Sequence, residues 1–249
     1  NIMYDTRLRV TMPRTLDERI VIVDIDEKSL GRVGQWPWRR DKMAALVREL
    51  FERQQVSVIG FDVLFAEADE SSGLATLQEL AQGPLRSQPT FQEQLKRLAP
   101  SLDYDALFAQ SLRGQPVVLG YYLSGEDRDG ITKGMLPDPA LPLERLRGLP
   151  LGATTWRGYS SNIEALTRVA PAAGFFNSIT DEDGVVRSLP LLAEYQGQYY
   201  ESLALAMFRT AIGLPEIHPG FVNPTPVGTH DLLQSIVLRQ DGRTLALPV

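Results

Sequence analysis

The chain of 249 residues has no cysteine, only two histidines, and fewer basic than acidic residues, 25 against 31. The lack of cysteine excludes disulfide bonds, thiolate nucleophiles and zinc sites with thiolate ligands. The net charge is −6, and no basic cluster is present that would neutralise several phosphates in a row. Nucleic acid is therefore not an expected partner. No apolar run reaches the roughly 18 residues that a membrane-spanning helix requires.

Hydrophobic residues make up 43% of the chain and charged residues 22%, which is enough apolar material for one large core. Because the length is in the range of a single domain, we expect residues 1–249 to form one domain. Two stretches, 71–100 and 127–150, are polar and interrupted by glycine and proline. We expect both to be surface insertions.

The N-terminal segment, residues 1–18, together with Arg19 carries four basic and three acidic side chains in a chain that is acidic overall. The basic side chains here and directly after it are Arg7, Arg9, Arg14 and Arg19. Such patches are typical of segments beside an anionic membrane surface, so we expect this segment to be membrane-proximal. The chain also starts without Met and stops after a strand-like run, and we expect it to be part of a longer protein.

The order of apolar patterns predicts an α/β fold. Residues 20–25 are a β-branched run without polar alternation, which is typical of a strand buried on both faces. Residues 41–51 have apolar side chains at helical spacing, and residues 56–61 form a second buried run. This unit of strand, helix and parallel strand predicts a mixed, mainly parallel sheet flanked by helices.

Later segments predict strands and antiparallel hairpins added to that sheet. Residues 116–123 form a third buried run. The runs 172–177 and 185–195 flank a turn at 181–184, which predicts a hairpin. A helix is predicted around 203–212, and a last hairpin is predicted around the turn formed by residues 240–243.

Three aspartates follow the first two predicted strands. Asp24 and Asp26 are two residues apart, so their side chains face the same side, and Asp62 ends the next strand. Ligands bind at the carboxyl ends of strands in open α/β sheets. The three carboxylates are therefore candidates for binding a cation or a small ligand, or for acting as a base. Acidic residues after strands also commonly cap loops and helices, and both interpretations remain open.

An aromatic and basic segment separates the first predicted strand from its helix. On one interpretation, Trp36, Trp38 and Arg39 line a ligand pocket, with the guanidinium stacked on an indole ring. On the other, Pro37 fixes the entry to the helix and the indole rings cover its first turn.

The strongest enzymatic alternative is a metal-dependent phosphotransferase. Residues 21–26, with two aspartates after an apolar strand, resemble the haloacid-dehalogenase superfamily. The resemblance ends there, because Glu27 and Lys28 follow, and Asp62 stands where a Ser or Thr phosphate ligand is expected. Phosphoryl transfer requires metal and phosphate ligands together.

Other catalytic and metal-binding patterns are absent from the sequence. It has no phosphate-binding glycine loop, no nucleophile elbow and no helix with paired histidines. His218 and His230 are two isolated histidines and a poor metal-ligand set. The acidic turns 127–130 and 181–184 lack the later oxygen ligands of a calcium loop. We therefore expect no cofactor and no bound metal.

Several motifs together resemble the type-2 CHASE family, whose members are extracytoplasmic sensory domains of bacterial cyclases and kinases. The resemblance extends over about residues 19–213. The segments that carry it, in order, are 19–30, 34–38, 60–65, 173–177, 181–187, 190–191 and 202–206.

This resemblance implies a periplasmic receptor domain of an inner-membrane protein, one that catalyses no reaction itself. Such domains lie between transmembrane helices of the same chain, which lead to a cytoplasmic output. We expect an adenylate cyclase, or alternatively a diguanylate cyclase or protein kinase, working as a homodimer. The stimulus is an unknown small molecule or a periplasmic protein. Besides the strand-end residues, we predict ligand contacts from Asn177, Asp181 and Arg187 near the later hairpin.

Overall fold

The computed structural model describes residues 2–12, 15, 17–125, 131–146, 151–181, 183–221 and 233–248. The chain divides into two compact units, up to Trp38 and from Arg39 onward. In the described part of the first unit there are two helices, α1 (Ile2–Thr11) and α2 (Glu27–Val33).

The described part of the second unit contains six further α-helices, two short 3-10 helices (Glu70–Ser72 and Leu143–Leu146) and thirteen strands. The helices are α3 (Arg40–Glu52), α4 (Leu74–Gln82), α5 (Pro89–Leu102), α6 (Tyr104–Leu112), α7 (Glu164–Thr167) and α8 (Leu203–Ala211). The first strands are β1 (Ile59–Phe61), β2 (Val117–Ser124), β3 (Thr132–Lys133), β4 (Thr155–Trp156), β5 (Gly158–Ser160) and β6 (Ala172–Phe175). The later strands are β7 (Ile179–Thr180), β8 (Val186–Ser188), β9 (Leu192–Tyr195), β10 (Gln198–Glu201), β11 (Glu216–Phe221), β12 (Leu233–Gln240) and β13 (Arg243–Pro248).

Strand β2 is the centre of the main sheet. It pairs in parallel with β1 on one side and with β6 on the other. The end of β2 pairs antiparallel with β5, which in turn pairs in parallel with β3. The sheet is therefore mixed and mainly parallel, and the predicted α/β fold class is confirmed.

The main core lies between this sheet and its helices. The rings of Phe61, Phe65 and Phe108 pack edge to face, with centroids 5.1 to 5.9 Å apart. Since Phe108 belongs to α6, these contacts fix α6 on one face of β1. On the opposite face, Gly60 approaches Met207 of α8. The main sheet is thus covered by helices on both faces.

Smaller sheets extend the second unit. Strands β9 and β10 form an antiparallel hairpin that β4 joins, and β11, β12 and β13 form an antiparallel sheet. Their apolar faces share a second core, which consists of Leu141, Leu146, Leu192, Tyr199, Leu205, Ile217, Ile236 and Leu238. The last predicted hairpin is confirmed, with Gln240 opposite Arg243 and the turn residues Asp241 and Gly242 at positive φ.

Two predictions about strands are wrong in this structure. Residues 20–25 form no strand, and the side chains from Ile20 to Val23 are 61 to 88% exposed. The run 172–177 does not form a hairpin with 185–195, because β6 joins the parallel sheet beside β2. The turn at 181–184 instead joins the short strands β7 and β8.

The two expected insertions are described to different extents. The stretch 71–100 holds α4 and most of α5, which pack on each other. Of the stretch 127–150, residues 127–130 and 147–150 lie outside the described residues.

Candidate functional site

The carboxyl ends of β1, β2 and β6 meet at one edge of the main sheet, because the three strands are parallel. Asp62 is exposed directly after β1, and Asn177 follows β6 by two residues. The N-termini of α3 and α6 lie at the same edge, as the contacts of Arg40 and Asp105 show. This edge therefore brings together polar side chains from the ends of two strands and the starts of two helices.

Arg40, the first residue of α3, is the centre of a buried polar network at this edge. Its guanidinium lies 4.4 Å from the centroid of the Phe65 ring, and its Nε is 3.5 Å from Asp105 Oδ1. Nη2 donates to the carbonyl of Glu67 at 3.3 Å, and the Arg40 backbone N–H donates to Asp69 Oδ2 at 2.6 Å. The side chain is only 10% exposed. Through its hydrogen bonds to Glu67 and Asp69, the buried Arg40 connects the start of α3 to the loop after β1.

The two carboxylates of the network respond differently to their surroundings. Burial raises the pKa of Asp105, although the Asp69 N–H and the Arg40 charge oppose it. Burial is also the largest single effect on Asp69, but hydrogen bonds from Ser71 and Arg40 outweigh it and hold the pKa of Asp69 below its ordinary value. Burial lowers the pKa of Arg40. None of these three residues was among the predicted site residues.

Arg39 differs from its neighbour because its side chain is 46% exposed. It pairs with Asp41 at 2.5 Å, and its guanidinium lies 4.7 Å from the centroid of the Tyr104 ring. The hydrogen bond to Asp41 raises the pKa of Arg39. The aromatic ring that Arg39 contacts is thus that of a tyrosine in α6.

Two buried asparagines join strand ends through their side-chain amides. Asn177 accepts from the backbone N–H of Leu123 at 2.8 Å and donates to its carbonyl at 2.7 Å. Asn162, which is fully buried, accepts from Phe65 N–H and donates to the Gly120 carbonyl, both at 2.9 Å. Each side-chain amide accepts one hydrogen bond from a backbone N–H and donates one to a backbone carbonyl. Both residues therefore stabilise the carboxyl edge of the main sheet. Asn162 was not predicted, and no local sequence signal marks it.

Asp181 and Arg187, predicted together, do meet in the hairpin of β7 and β8. Arg187 Nη1 is 2.7 Å from Asp181 Oδ2 and 2.7 Å from Asp183 Oδ1. Nη2 donates to the second oxygen of Asp183 at 2.8 Å. The Arg187 side chain is 9% exposed. Its ion pairs with Asp181 and Asp183 therefore stabilise the turn between β7 and β8.

In the first unit, Asp26 caps α2. Its side chain accepts from the backbone N–H and the hydroxyl of Ser29, at 2.8 and 2.6 Å. These hydrogen bonds lower the pKa of Asp26. Asp24 is exposed. The capping interpretation therefore describes Asp26 in this structure.

The indole rings of Trp36 and Trp38 pack edge to face, with centroids 6.0 Å apart. Trp38 Nε1 donates to the Gly34 carbonyl, which ends α2, at 2.7 Å. The pair thus folds back on the end of α2 within the first unit.

Among the residues described, no group of three or more His, Asp or Glu side chains is arranged to hold a metal ion. His218 pairs with Glu216 at 3.3 Å. His230 and the turn 127–130 lie outside the described residues. The structure also shows, in the part it describes, no helix with the length and apolar character to cross a membrane.

Comparison with known families agrees with the motifs in the sequence. The family model of the CHASE2 domain matches residues 1–247. The chain belongs to the CHASE2 family. CHASE2 domains are extracellular sensory domains and are not catalytic themselves. No curated protein and no solved structure matches the chain significantly.

Two motif residues of this CHASE2 domain have clear structural roles. Gly174 in β6 lies against the start of α8, where a Cβ would be 2.5 Å from the backbone nitrogen of Leu203. Ser202 caps α8 by accepting from Leu205 N–H at 3.4 Å. Together with Asn177, these residues position β6, β2 and α8 relative to one another. In this region, the residues that match the family motifs therefore stabilise the fold.

Proposed function

We propose that this CHASE2 domain is the periplasmic input of a membrane receptor whose cytoplasmic output is an adenylate cyclase. The supporting observation is the family match over residues 1–247, since CHASE2 domains are extracellular sensory domains. The class of output rests on the resemblance to receptors of bacterial cyclases and kinases. A diguanylate cyclase or a protein kinase is the alternative output.

The domain acts by binding and not by catalysis. A small molecule, or alternatively a periplasmic protein, binds one of two conformations more tightly and shifts the equilibrium between them. Transmembrane helices of the same chain pass this shift to the output, and two copies work together as a homodimer. The mechanism requires no cofactor.

We assign the ligand to the carboxyl edge of the parallel strands. Asp62 and Arg39 offer solvent-facing charges of opposite sign within the second unit. In the first unit, Asp24 and Trp36 are exposed and Trp38 is half-buried, and all three remain ligand candidates. The opposite charges of Asp62 and Arg39 suit a small polar molecule.

Four further candidates already bind partners within the chain. Asp26 caps a helix, Asn177 joins two strands, and Arg187 pairs with Asp181. In our proposal these residues orient the surroundings of the ligand, so their substitution should lower stability as well as binding.

Full-length receptor in membrane vesicles tests the proposal. The vesicles receive ATP and GTP, and small-molecule fractions or periplasmic proteins are added on the sensory side. We expect cyclic AMP formation to respond, while cyclic di-GMP or protein phosphorylation would identify the alternative outputs. Loss of the response in Asp62→Asn and Arg39→Gln, with normal behaviour of the exposed α5 variant Glu93→Gln, supports the assigned edge.

Three results would contradict the proposal. Absence of cyclase and kinase activity would exclude the output, and a response unchanged in both edge variants would exclude the site. Hydrolysis of phosphate esters by the isolated domain, lost in Asp24→Asn, would show an enzyme instead of a sensor.

A further inference from the structure

Strand β13 is a free edge of the β11–β12–β13 sheet. It pairs with β12 on one side, and on its other side it pairs with no strand in the part of the chain that the structure describes. The opposite edge strand, β11, contains Pro219 and a register shift between Gly220 and Phe221. Prolines and bulges of this kind keep an edge strand from pairing with another chain. Strand β13 has neither before Pro248 at its end, so its edge is open to a further strand.

The backbone groups of Thr244 and Ala246 point out of this edge. A two-residue turn joins β12 to β13, so the residues that flank it, Gln240 and Arg243, form a hydrogen-bonded pair. Hydrogen-bonded and non-hydrogen-bonded positions alternate along an antiparallel pair of strands. The N–H and C=O groups of Thr244 and Ala246 therefore point away from β12, and they have no hydrogen-bond partner among the described residues. Both residues offer a donor and an acceptor to a further strand.

The second core is open at the same edge. Leu245 is the cross-strand partner of Leu238, which is buried in the second core, so both side chains face the same side of the sheet. Leu245 is nevertheless 43% exposed, and Ile212, which borders the same hollow, is 42% exposed. An apolar side chain placed against Leu245 would extend the cover of the second core and remove apolar surface from water.

Strand β13 is complementary to a second copy of itself. Two identical strands related by a two-fold axis pair antiparallel. With the axis at Leu245, Thr244 of each copy lies opposite Ala246 of the other, and these residues exchange both hydrogen bonds. The two Leu245 side chains then contact each other. Arg243, the charged residue of the strand, lies opposite Leu247 of the other copy, so no like charge opposes it.

We propose that β13 is a homodimer interface, where two copies pair edge to edge through Thr244 and Ala246 and each Leu245 covers its counterpart. The pairing joins the three-stranded sheets of the two copies into one continuous sheet. The inference rests on the proposed function for the expectation that two copies work together, and it gives that homodimer a surface. It is measured on the domain itself, so its failure leaves the tests of the receptor output and of the ligand edge unaffected.

Disulfide cross-linking tests the register of the pairing, since the chain has no cysteine of its own. Opposite residues of a non-hydrogen-bonded pair have Cα atoms about 4.5 Å apart, a separation that a disulfide can span. We expect mild oxidation of the Leu245→Cys domain to give a covalent dimer on a non-reducing gel. Arg243→Cys is the control, because this exposed residue lies on the same face but about 13 Å along the strand from its counterpart. It should give little covalent dimer.

Analytical ultracentrifugation of the 249-residue domain tests the backbone pairing. Ala246→Pro removes the N–H that points out of the edge and leaves the hydrogen bonds to β12 in place. It should weaken dimerisation by about tenfold or more, because hydrogen bonds on both sides of the axis are lost. The control Ala246→Ser keeps the N–H and should dimerise like the wild type. Circular dichroism with thermal unfolding checks the fold of both variants, and cross-linking of Leu245→Cys decides alone if Ala246→Pro does not fold.

Three results would overturn the inference. The domain stays monomeric at every concentration measured, Ala246→Pro folds and dimerises as well as Ala246→Ser, or Arg243→Cys cross-links as readily as Leu245→Cys. A Leu245→Cys domain that forms a mixed disulfide with a different periplasmic protein, and none with its own copy, would give the edge another occupant and would also contradict the homodimer interface.

Discussion

Arg39 and Arg40 are adjacent in the chain, but only Arg40 is buried. Arg40 lies over the Phe65 ring and beside Asp105, and it joins α3 to two later segments. Arg39 pairs with Asp41 at the surface, where solvent screens the interaction. The sequence pattern pointed to Arg39, because a local pattern shows charge and aromatic neighbours but not burial.

We expect Arg40→Ala to lower the free energy of unfolding by about 3 kcal/mol, because it leaves the partly buried Asp105 without its counter-charge. Arg39→Ala, the adjacent control, should change stability little. Urea unfolding of both variants at neutral pH measures the difference. Equal effects of the two substitutions would contradict the role assigned to Arg40.

Glu201 is a second buried charge, at the end of β10, and it pairs with Arg209 of α8. Its side chain is 7% exposed. Burial raises the pKa of Glu201 above its ordinary value of 4.5, and Arg209 offsets only part of that effect. The folded state therefore holds the proton more tightly than the unfolded chain does.

This shift predicts the sign of a pH effect. The contribution of Glu201 to stability is complete below the unfolded pKa and is lost as the pH rises through the folded pKa. The free energy of unfolding of the wild type should thus fall relative to Glu201→Gln as the pH rises from 4.5. Urea unfolding of both proteins, repeated at increasing pH from 4.5, measures how the difference between their free energies of unfolding changes with pH. An opposite slope would show that Arg209 outweighs burial.

At the scale of elements, sequence patterns located helices and buried strands well. The predicted helix at 41–51 is α3, and the predicted strand at 116–123 is β2, each within a residue or two. Pairing was less predictable, because periodicity does not identify the partner strand, and the run 172–177 pairs with β2 instead of with 185–195. The run at 20–25 has the pattern of a buried strand, yet in the structure its apolar side chains from Ile20 to Val23 are exposed.

The contact between β6 and α8 yields a test at this scale. Gly174→Ala should lower the free energy of unfolding by about 3 kcal/mol, because the new Cβ would overlap the backbone of Ser202 and Leu203. Gly31→Ala is the control, since a Cβ at Gly31 meets nothing within 4 Å and α2 tolerates alanine. Thermal unfolding compares the two. A mild effect at Gly174 would mean that α8 can move away from the sheet.

At the scale of the whole molecule, the family was recognisable from sequence, whereas the polar networks were not. Arg40 and Asp105 are far apart in the chain, and Asn162 reaches both Phe65 and Gly120. Such contacts depend on the packing of strands and helices that are distant in the chain. A single sequence does not show which distant residues will meet.

The distribution of buried residues over the whole molecule leads to a final prediction. In the described part of the chain, every buried apolar side chain lies between Met43 and Leu238, in the second unit. A protein of residues 39–249 therefore keeps both cores, and we expect it to unfold cooperatively with a free energy close to that of the full chain. Urea unfolding followed by fluorescence and by far-ultraviolet circular dichroism compares the two proteins, and the transitions should coincide. If the shorter protein aggregates or unfolds without cooperativity, residues 1–38 must supply contacts on which the cores depend.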